Sequence, residues 1–361
     1  MEYGISVYIN DDNSKNDNRE YLKLSKENGI KKIFTSLNLP EINYKEKLEE
    51  IIDLIKYIKS LEMEITVDIS PNVIKALGST YDNLSEFRKL GFDCLRLDYG
   101  FTPDEIAIMT KNEYGIAIEL NASTIKKEFI ENLINKGADI NDLRTCHNFY
   151  PKPYTGLSYS FFENQTKMIK EYGLRVAAFI PSKKGKRGPI FEGLPTIEDH
   201  RYKRPDIAAK YFVYSGLIDD IYFGDAYASD DEIKSVTSIN KEVIELDIVI
   251  NENLSDLERN IIFNTTHTNR PDASEYLIRS EESRICFKDT SEIQAHDCIE
   301  RKKYSVTIDN NSFKRYSGEL NICKLDMPKD NRVNVVGYIP YDEHILVDLI
   351  KPGTKFCFKE K

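Results

Sequence analysis

The chain has 361 residues, of which 40% are hydrophobic and 30% charged, and its formal net charge is −10. This composition excludes a disordered protein, and the acidic balance speaks against nucleic acid as a partner, because phosphate backbones are held by basic surfaces. It leaves room for a small anion gripped by a few local cations.

Residues 4–9 already read as a core strand, unlike a signal peptide, and no apolar run approaches the roughly 18 residues of a membrane span. A cytoplasmic location without membrane attachment is the expectation. The six cysteines are Cys94, Cys146, Cys286, Cys298, Cys323 and Cys357, with no CxxC pair among them. They read as thiols of a reducing compartment, not as disulfides or zinc ligands.

From residue 4 to about 245, strand-like runs alternate with helix-like segments. The runs 4–9, 32–37, 64–69, 94–98, 116–120, 144–148, 174–180 and 218–223 are short and nearly continuous in apolar residues, as strands buried on both faces should be. Between them lie helical stripes: Leu48, Ile51, Ile52, Ile55, Ile58 and Leu61 form one, and Ile125, Phe129, Leu133 and Ile134 another. Eight alternations predict an α/β fold of the (β/α)8, or TIM-barrel, type. A doubly wound sheet would bring a Gly-rich phosphate loop after its first strand, where this chain has Tyr8-Ile9-Asn10-Asp11-Asp12. Beyond residue 246 the pattern changes to short strands such as 304–308, 332–337 and 355–358, with Gly and Pro turns and little helical periodicity. Two domains are therefore expected: a barrel over 1–245 and a small β-rich domain over 246–361.

Barrels of this kind carry their chemistry where strands end. Strand two ends at Ser36-Leu37-Asn38, strand three at Asp68-Ile69-Ser70, and strand four at Arg96-Leu97-Asp98-Tyr99-Gly100. Strand five gives Glu119-Leu120-Asn121-Ala122-Ser123, strand six His147-Asn148-Phe149-Tyr150-Pro151, and strand eight Gly224-Asp225. Four carboxylates, Asp68, Asp98, Glu119 and Asp225, should thus converge on one mouth. Buried acids are costly unless paired or used, although each alone could cap the next helix or pair with Arg96. Paired carboxylates suit glycosidic hydrolysis, one protonating the leaving oxygen while the other attacks or activates water. His147 with Asp98 and Asp225 is imaginable as a metal trio, but no short-range ligand spacing supports it, so neither metal nor cofactor is expected. In isolation His147 is equally compatible with a hydrogen-bonded core position; the company of Asn148, Phe149 and Tyr150 favours a ligand-facing one.

Two cationic clusters complete the inventory. The loop after strand seven runs Pro181-Ser182-Lys183-Lys184-Gly185-Lys186-Arg187-Gly188-Pro189 and continues through Gly193-Leu194-Pro195 to His200-Arg201. Barrels often hold a phosphate there, and Arg/Lys clusters suit it; a solvated basic loop is the plainer alternative. In the β-rich stretch, Arg270, Arg279 and Arg284 could grip a carboxylate or phosphate, or pair with Glu275, Glu281 and Glu282. The chain has no Trp, so any sugar platform falls to Tyr or Phe, such as Tyr99, Phe101 or Tyr150.

At these residues the sequence resembles the bacterial 6-phospho-N-acetylmuramidases. The likeness is carried by Arg96-Leu97-Asp98-Tyr99-Gly100, Glu119-Leu120-Asn121-Ala122-Ser123, His147-Asn148-Phe149-Tyr150-Pro151 and Thr155-Gly156-Leu157. It continues in Arg187-Gly188-Pro189, Glu192-Gly193-Leu194-Pro195-Thr196, Gly224-Asp225, Arg270-Pro271-Asp272 and Ile278-Arg279-Ser280, in one order along nearly the whole chain. The resemblance implies a TIM barrel followed by a small cyclophilin-like β-barrel. It also implies hydrolysis of the β-1,4 bond in N-acetylmuramic acid 6-phosphate–N-acetylglucosamine, a cytosolic step of peptidoglycan recycling. One departure stands at the end of strand one, where Ile9-Asn10-Asp11-Asp12 replaces the Pro or Ser-rich turn of the family.

A phosphorylated amino-sugar disaccharide would bring a phosphate and a lactyl carboxylate to a mouth with cations beside acids. Glu119 is the expected general acid, because its apolar strand should raise its pKa, and Asp98 the expected partner, with Asp68 and Asp225 in reserve. Asn38, Asn121, His147, Asn148, Tyr150, Arg187, Arg201, Arg270 and Arg279 are the expected substrate-binding residues. The competing readings are a phosphosugar isomerase or epimerase on the same barrel and a non-catalytic sugar-phosphate sensor. A homodimer stays open.

Overall fold

The computed structural model describes residues 1–8, 15–37, 44–286 and 292–361. Two compact units divide it, Met1–Ile239 and Asn240–Lys361. The change falls a few residues before the expected one, because the strand Ile244–Ile250 opens the second unit.

In the first unit, eight strands close a parallel barrel in chain order. They are β1 Glu2–Ser6, β2 Lys32–Ser36, β3 Glu64–Ile69, β4 Cys94–Leu97, β5 Ala117–Asn121, β6 Leu143–Cys146, β7 Arg175–Ile180 and β8 Asp220–Phe223. Closure is made by β8 pairing back onto β1, with Gly4 opposite Tyr222. The intervening helices cover the barrel with the stripes their periodicity implies. The helix Tyr44–Ser60 buries Ile51, Leu54, Ile55 and Ile58, and Lys127–Asn135 buries Ile130 and Leu133. Ile134, placed in that stripe by sequence, is 40% exposed instead, one position off the inward face.

Contacts between strands that are not neighbours identify the side chains pointing into the barrel. Lys32 on β2 meets Asp220 on β8 at 2.8 Å, Arg144 on β6 pairs with Glu64 on β3, and Arg96 on β4 reaches Asn148 just past β6 at 2.5 Å. Such pairs can meet only through the interior. At the amino-terminal end of the strands they form a floor of compensated charge, in which Lys32 also lies near Glu2 and Glu64, and Arg175 holds Asp220 at 2.9 Å. Toward the other end, Phe34, Phe179, Tyr222 and Tyr8 pack into an aromatic cluster, joined by the half-buried Phe149 and Tyr227.

The second unit carries a seven-stranded mixed sheet. Its strands are β9 Ile244–Ile250, β10 His267–Thr268, β11 Leu277–Arg279, β12 Ser305–Asp309, β13 Leu320–Cys323, β14 Val333–Tyr338 and β15 Lys355–Glu360. The spatial order is β10-β15-β9-β14-β12-β13-β11, with β15 and β9 parallel and the other pairs antiparallel. A helix not anticipated from periodicity, Asp256–Phe263, begins at a capping box in which Ser255 and Glu258 satisfy each other's backbone N–H groups. Cys94, Cys146 and Cys323 are buried thiols, as the composition suggested, and no helix among the described residues is long and apolar enough to cross a membrane.

Candidate active site

The registers Ser36↔Asp68, Asp68↔Arg96, Arg96↔Glu119 and Glu119↔Arg144 place one row of polar side chains across β2 to β6. Barrel strands tilt by roughly 35–45° to the axis, so a row perpendicular to them descends as it passes round the barrel. Here it runs from Ser36 and Asp68 at the mouth to Arg144 in the floor. Depth therefore differs between residues that all sit near strand ends in the sequence.

Asp68 occupies the upper part of this row. Its carboxylate accepts from Arg96 at 3.2 Å and its side chain keeps 14% exposure. Burial raises its pKa to about 6, against the attraction of Arg96, and the neighbouring charge of Asp98 adds to the rise. Glu119 lies deeper, at 4% exposure, with Oε1 3.7 Å from Arg96 Nε. Burial lifts it to about 7, opposed by Arg96, Arg144 and Lys32. Asp98 is exposed beyond the end of β4 and lines a cleft of about 530 Å³ with Tyr99, Phe101, Asn121 and Phe129. Glu119 and Asp98 are thus not the level pair expected. Arg96, not Asp98, stands opposite Glu119, and Asp98 lies two residues further along the strand, about 6–7 Å higher.

Asp225 also departs from expectation. It is wholly buried, and its two oxygens accept from the backbone N–H groups of Ser182 (2.8 Å), Arg187 (3.1 Å) and Leu194 (3.3 Å). That carboxylate is the hub on which the basic loop after β7 is wound. Neighbouring Gly224 has no room for a side chain, since a Cβ would fall 2.4 Å from the carbonyl oxygen of Leu194. The wound loop lays the Arg187 guanidinium over the Tyr8 ring, 3.6 Å from its centroid, at the aromatic cluster of the barrel. Lys183 and Lys186 turn instead toward Tyr202, one to its carbonyl at 2.6 Å and one over its ring.

His147 does not face a ligand. It is wholly buried between β6 and the helix Tyr159–Lys170, with both ring nitrogens engaged. Ser123 Oγ accepts from the Asn148 N–H at 2.9 Å and so donates to His147 Nδ1 at 3.2 Å. Thr166 donates to the Phe162 carbonyl and so accepts from His147 Nε2 at 2.9 Å. The hydrogen bonds thereby fix the neutral Nε2–H tautomer, and burial lowers the pKa to about 3. This brace holds Asn148, whose side-chain oxygen accepts from Arg96. With His147 and Asp225 so committed, the imagined metal trio with Asp98 is not a ligand set, and no cluster of three or more metal-binding side chains occurs among the described residues.

Arg201 is a structural clamp and not a substrate ligand. Its fully buried side chain forms a fork with Glu198 at 2.7 and 2.6 Å and donates to the carbonyls of Gly193 and Lys152. Burial alone would raise Glu198, yet hydrogen bonds from Arg201 and the N–H groups of Tyr154 and Gly156 hold it at about 2. Sequence reasoning missed this acid, although Glu198 stands three residues before Arg201. Asn121 is half-buried at the edge of the cleft, where its side-chain oxygen accepts from the Ser123 N–H. Tyr150 is half-buried, its N–H donating to Pro195. Asn38 lies outside the described residues. In the second unit, Arg270 forks onto Asp272, and Arg279 binds Glu319 at 2.9 Å; these are their partners in place of Glu275, Glu281 and Glu282.

The mouth of the barrel therefore gathers Asp68, Asp98, Arg96, Asn121, Asn148 and, on its own loop, Arg187. Comparison with known proteins agrees on what such a chain is. Residues 3–238 match the model of the 6-phospho-N-acetylmuramidase N-terminal domain, and residues 244–359 that of the C-terminal domain. An uncharacterized B. cereus protein of known structure is 35% identical over 99% of both chains, with a TM-score of 0.89. A conserved Enterococcus faecalis protein of unknown function is also 35% identical, over 100% of this chain and 97% of its own, with a TM-score of 0.76. No curated protein matches. The two halves of one family model, met in order along almost every residue, make this chain a member of the 6-phospho-N-acetylmuramidase family.

Proposed function

We propose that the barrel hydrolyses the β-1,4 bond between N-acetylmuramic acid 6-phosphate and N-acetylglucosamine, within the cytoplasmic recycling of peptidoglycan. The observation that carries this reading is the nest of Asp68 and Asp98 around Arg96 at the mouth, with the Arg187 loop beside it. Asp68, with its pKa near 6, is the general acid: near neutral pH a usable fraction keeps its proton, and the side chain remains open to solvent. It donates that proton to the glycosidic oxygen as the bond from the anomeric carbon to that oxygen breaks. Asp98, exposed and next to it in space, serves the anomeric carbon, either by attack or by taking a proton from the attacking water.

Arg96 holds both sides of this arrangement, bonded to Asp68 on one side and to Asn148 on the other. Glu119 lies behind it, 3.7 Å from Arg96 Nε, a positioning residue and not the acid. Arg187 supplies the charge for the 6-phosphate. The cleft with Tyr99, Phe101 and Asn121 offers aromatic faces and an amide to a sugar ring. The test is direct. The purified protein is incubated with the phosphorylated and the unphosphorylated muramyl disaccharide, and products are separated and identified. Release of a free reducing amino sugar from the phosphorylated substrate is the expected result. An isomerised disaccharide, or binding without turnover, would replace this reading with an isomerase or a sensor.

A further inference from the structure

We infer that the second unit carries an anion site of its own, built to take a phosphomonoester such as a sugar phosphate. A cavity in this unit measures about 880 Å³, within the range of roughly 300–1,000 Å³ typical of small-molecule sites. Five cations line it, Arg270, Arg279, Arg284, Lys314 and Arg315, against two carboxylates, Asp272 and Glu292. In a chain of net charge −10 this is a local inversion of sign.

The arginines are held from below. Glu319, whose side chain is 7% exposed, accepts from Arg279 Nε at 2.9 Å and lies 3.7 Å from Arg284 NH1. One buried carboxylate therefore anchors two guanidinium groups that line the cavity, and Arg279 NH1 also lies 3.5 Å from Asp272. Tyr316 supports the same wall, with the guanidinium groups of Arg284 and Arg315 over its ring at 5.4 and 5.0 Å. Lys314 makes no ion pair among the described residues. It sits on the cavity rim with φ 54° and ψ −114°, a left-handed backbone that a β-carbon disfavours. Planar forks with a nearby ammonium match the three equivalent oxygens of a phosphate, and the cavity leaves space for the group that bears it.

This inference does not depend on the barrel's reaction, and its test does not read turnover. Hydrogen exchange followed by mass spectrometry on the full chain, with an amino-sugar 6-phosphate, the same sugar unphosphorylated, and inorganic phosphate, locates binding by segment. Slower exchange in residues 277–286 and 311–318 with the phosphorylated sugar, and none with the unphosphorylated one, is the expected result. Equal protection by inorganic phosphate would support the site with free phosphate as sufficient ligand. Protection confined to the barrel, or absent throughout, would overturn it. The double substitution Lys314→Gln, Arg315→Gln leaves the Glu319 pairs intact. It should weaken binding at these segments at least tenfold while circular dichroism stays native, and unchanged affinity would overturn the assignment.

Discussion

Arg96 and Asp68 meet at 3.2 Å across the β3–β4 register, yet burial still lifts the Asp68 carboxyl to about 6. The ion pair lowers the cost of the charged form without abolishing it, so the proton leaves near neutral pH. A general acid must carry its proton, so kcat/KM should be high below pH 6 and fall as pH rises through it. Asp68→Asn should remove that limb and lower kcat by at least about 10²-fold. A profile of kcat/KM against pH for both proteins checks this. A native profile in the variant would exclude Asp68.

Glu119→Gln distinguishes acid from positioner. If Glu119 only orients Arg96, the amide weakens one charged contact and kcat falls about tenfold, with the limb near pH 6 unmoved. A loss beyond about 10²-fold together with disappearance of the limb would return the acid role to Glu119.

Arg187→Ala is expected to remove the preference for phosphate. Turnover of the phosphorylated disaccharide should fall by about 10²- to 10⁴-fold in kcat/KM, while that of the unphosphorylated one should change little. Measuring both substrates on both proteins separates a lost phosphate contact from general damage, which would slow them equally.

His147→Ala should act on stability first. It leaves the buried hydroxyls of Ser123 and Thr166 without their nitrogen partners, at a cost of about 2–4 kcal/mol read by urea unfolding. Because the native histidine is neutral down to about pH 3, its protonation should not appear in the pH–activity profile near 6. A histidine limb there would contradict the tautomer fixed by the hydrogen bonds.

Breaking the Arg201–Glu198 fork should cost more. Arg201→Ala leaves Glu198 charged beside two backbone donors and removes the largest fully buried side chain, for a loss of about 3–5 kcal/mol. Far-UV circular dichroism at increasing temperature gives the check, and a shift in Tm of less than a degree would refute the clamp.

The barrel was legible because eight apolar runs alternating with helical stripes leave few other architectures. The strand ends Asp68, Asp98, Asn121 and Asn148 lie at the carboxyl end of the barrel, as residues that close parallel strands must. What the sequence did not carry was depth. Glu119 and Asp68 look alike in the chain, and only strand tilt puts one in the throat and the other at the rim. Nor can a linear pattern tell whether a polar group spends itself on the backbone. Asp225 and His147 were expected at the ligand, but one binds three N–H groups and the other two hydroxyls. Arg201, too, is spent on a local partner, Glu198, only three residues before it.

The winding of the basic loop on Asp225 has an evolutionary consequence. Three main-chain N–H groups define the loop's course, and every residue type except proline offers one. The side chains of Lys183, Lys184, Lys186 and Arg187 are therefore free to change without redrawing the path they hang from. Exchanging Lys183, Lys184, Lys186 or Arg187 should alter which anion is preferred while the barrel keeps its stability. Relatives that diverge in substrate would then differ in these side chains and keep the acid at position 225.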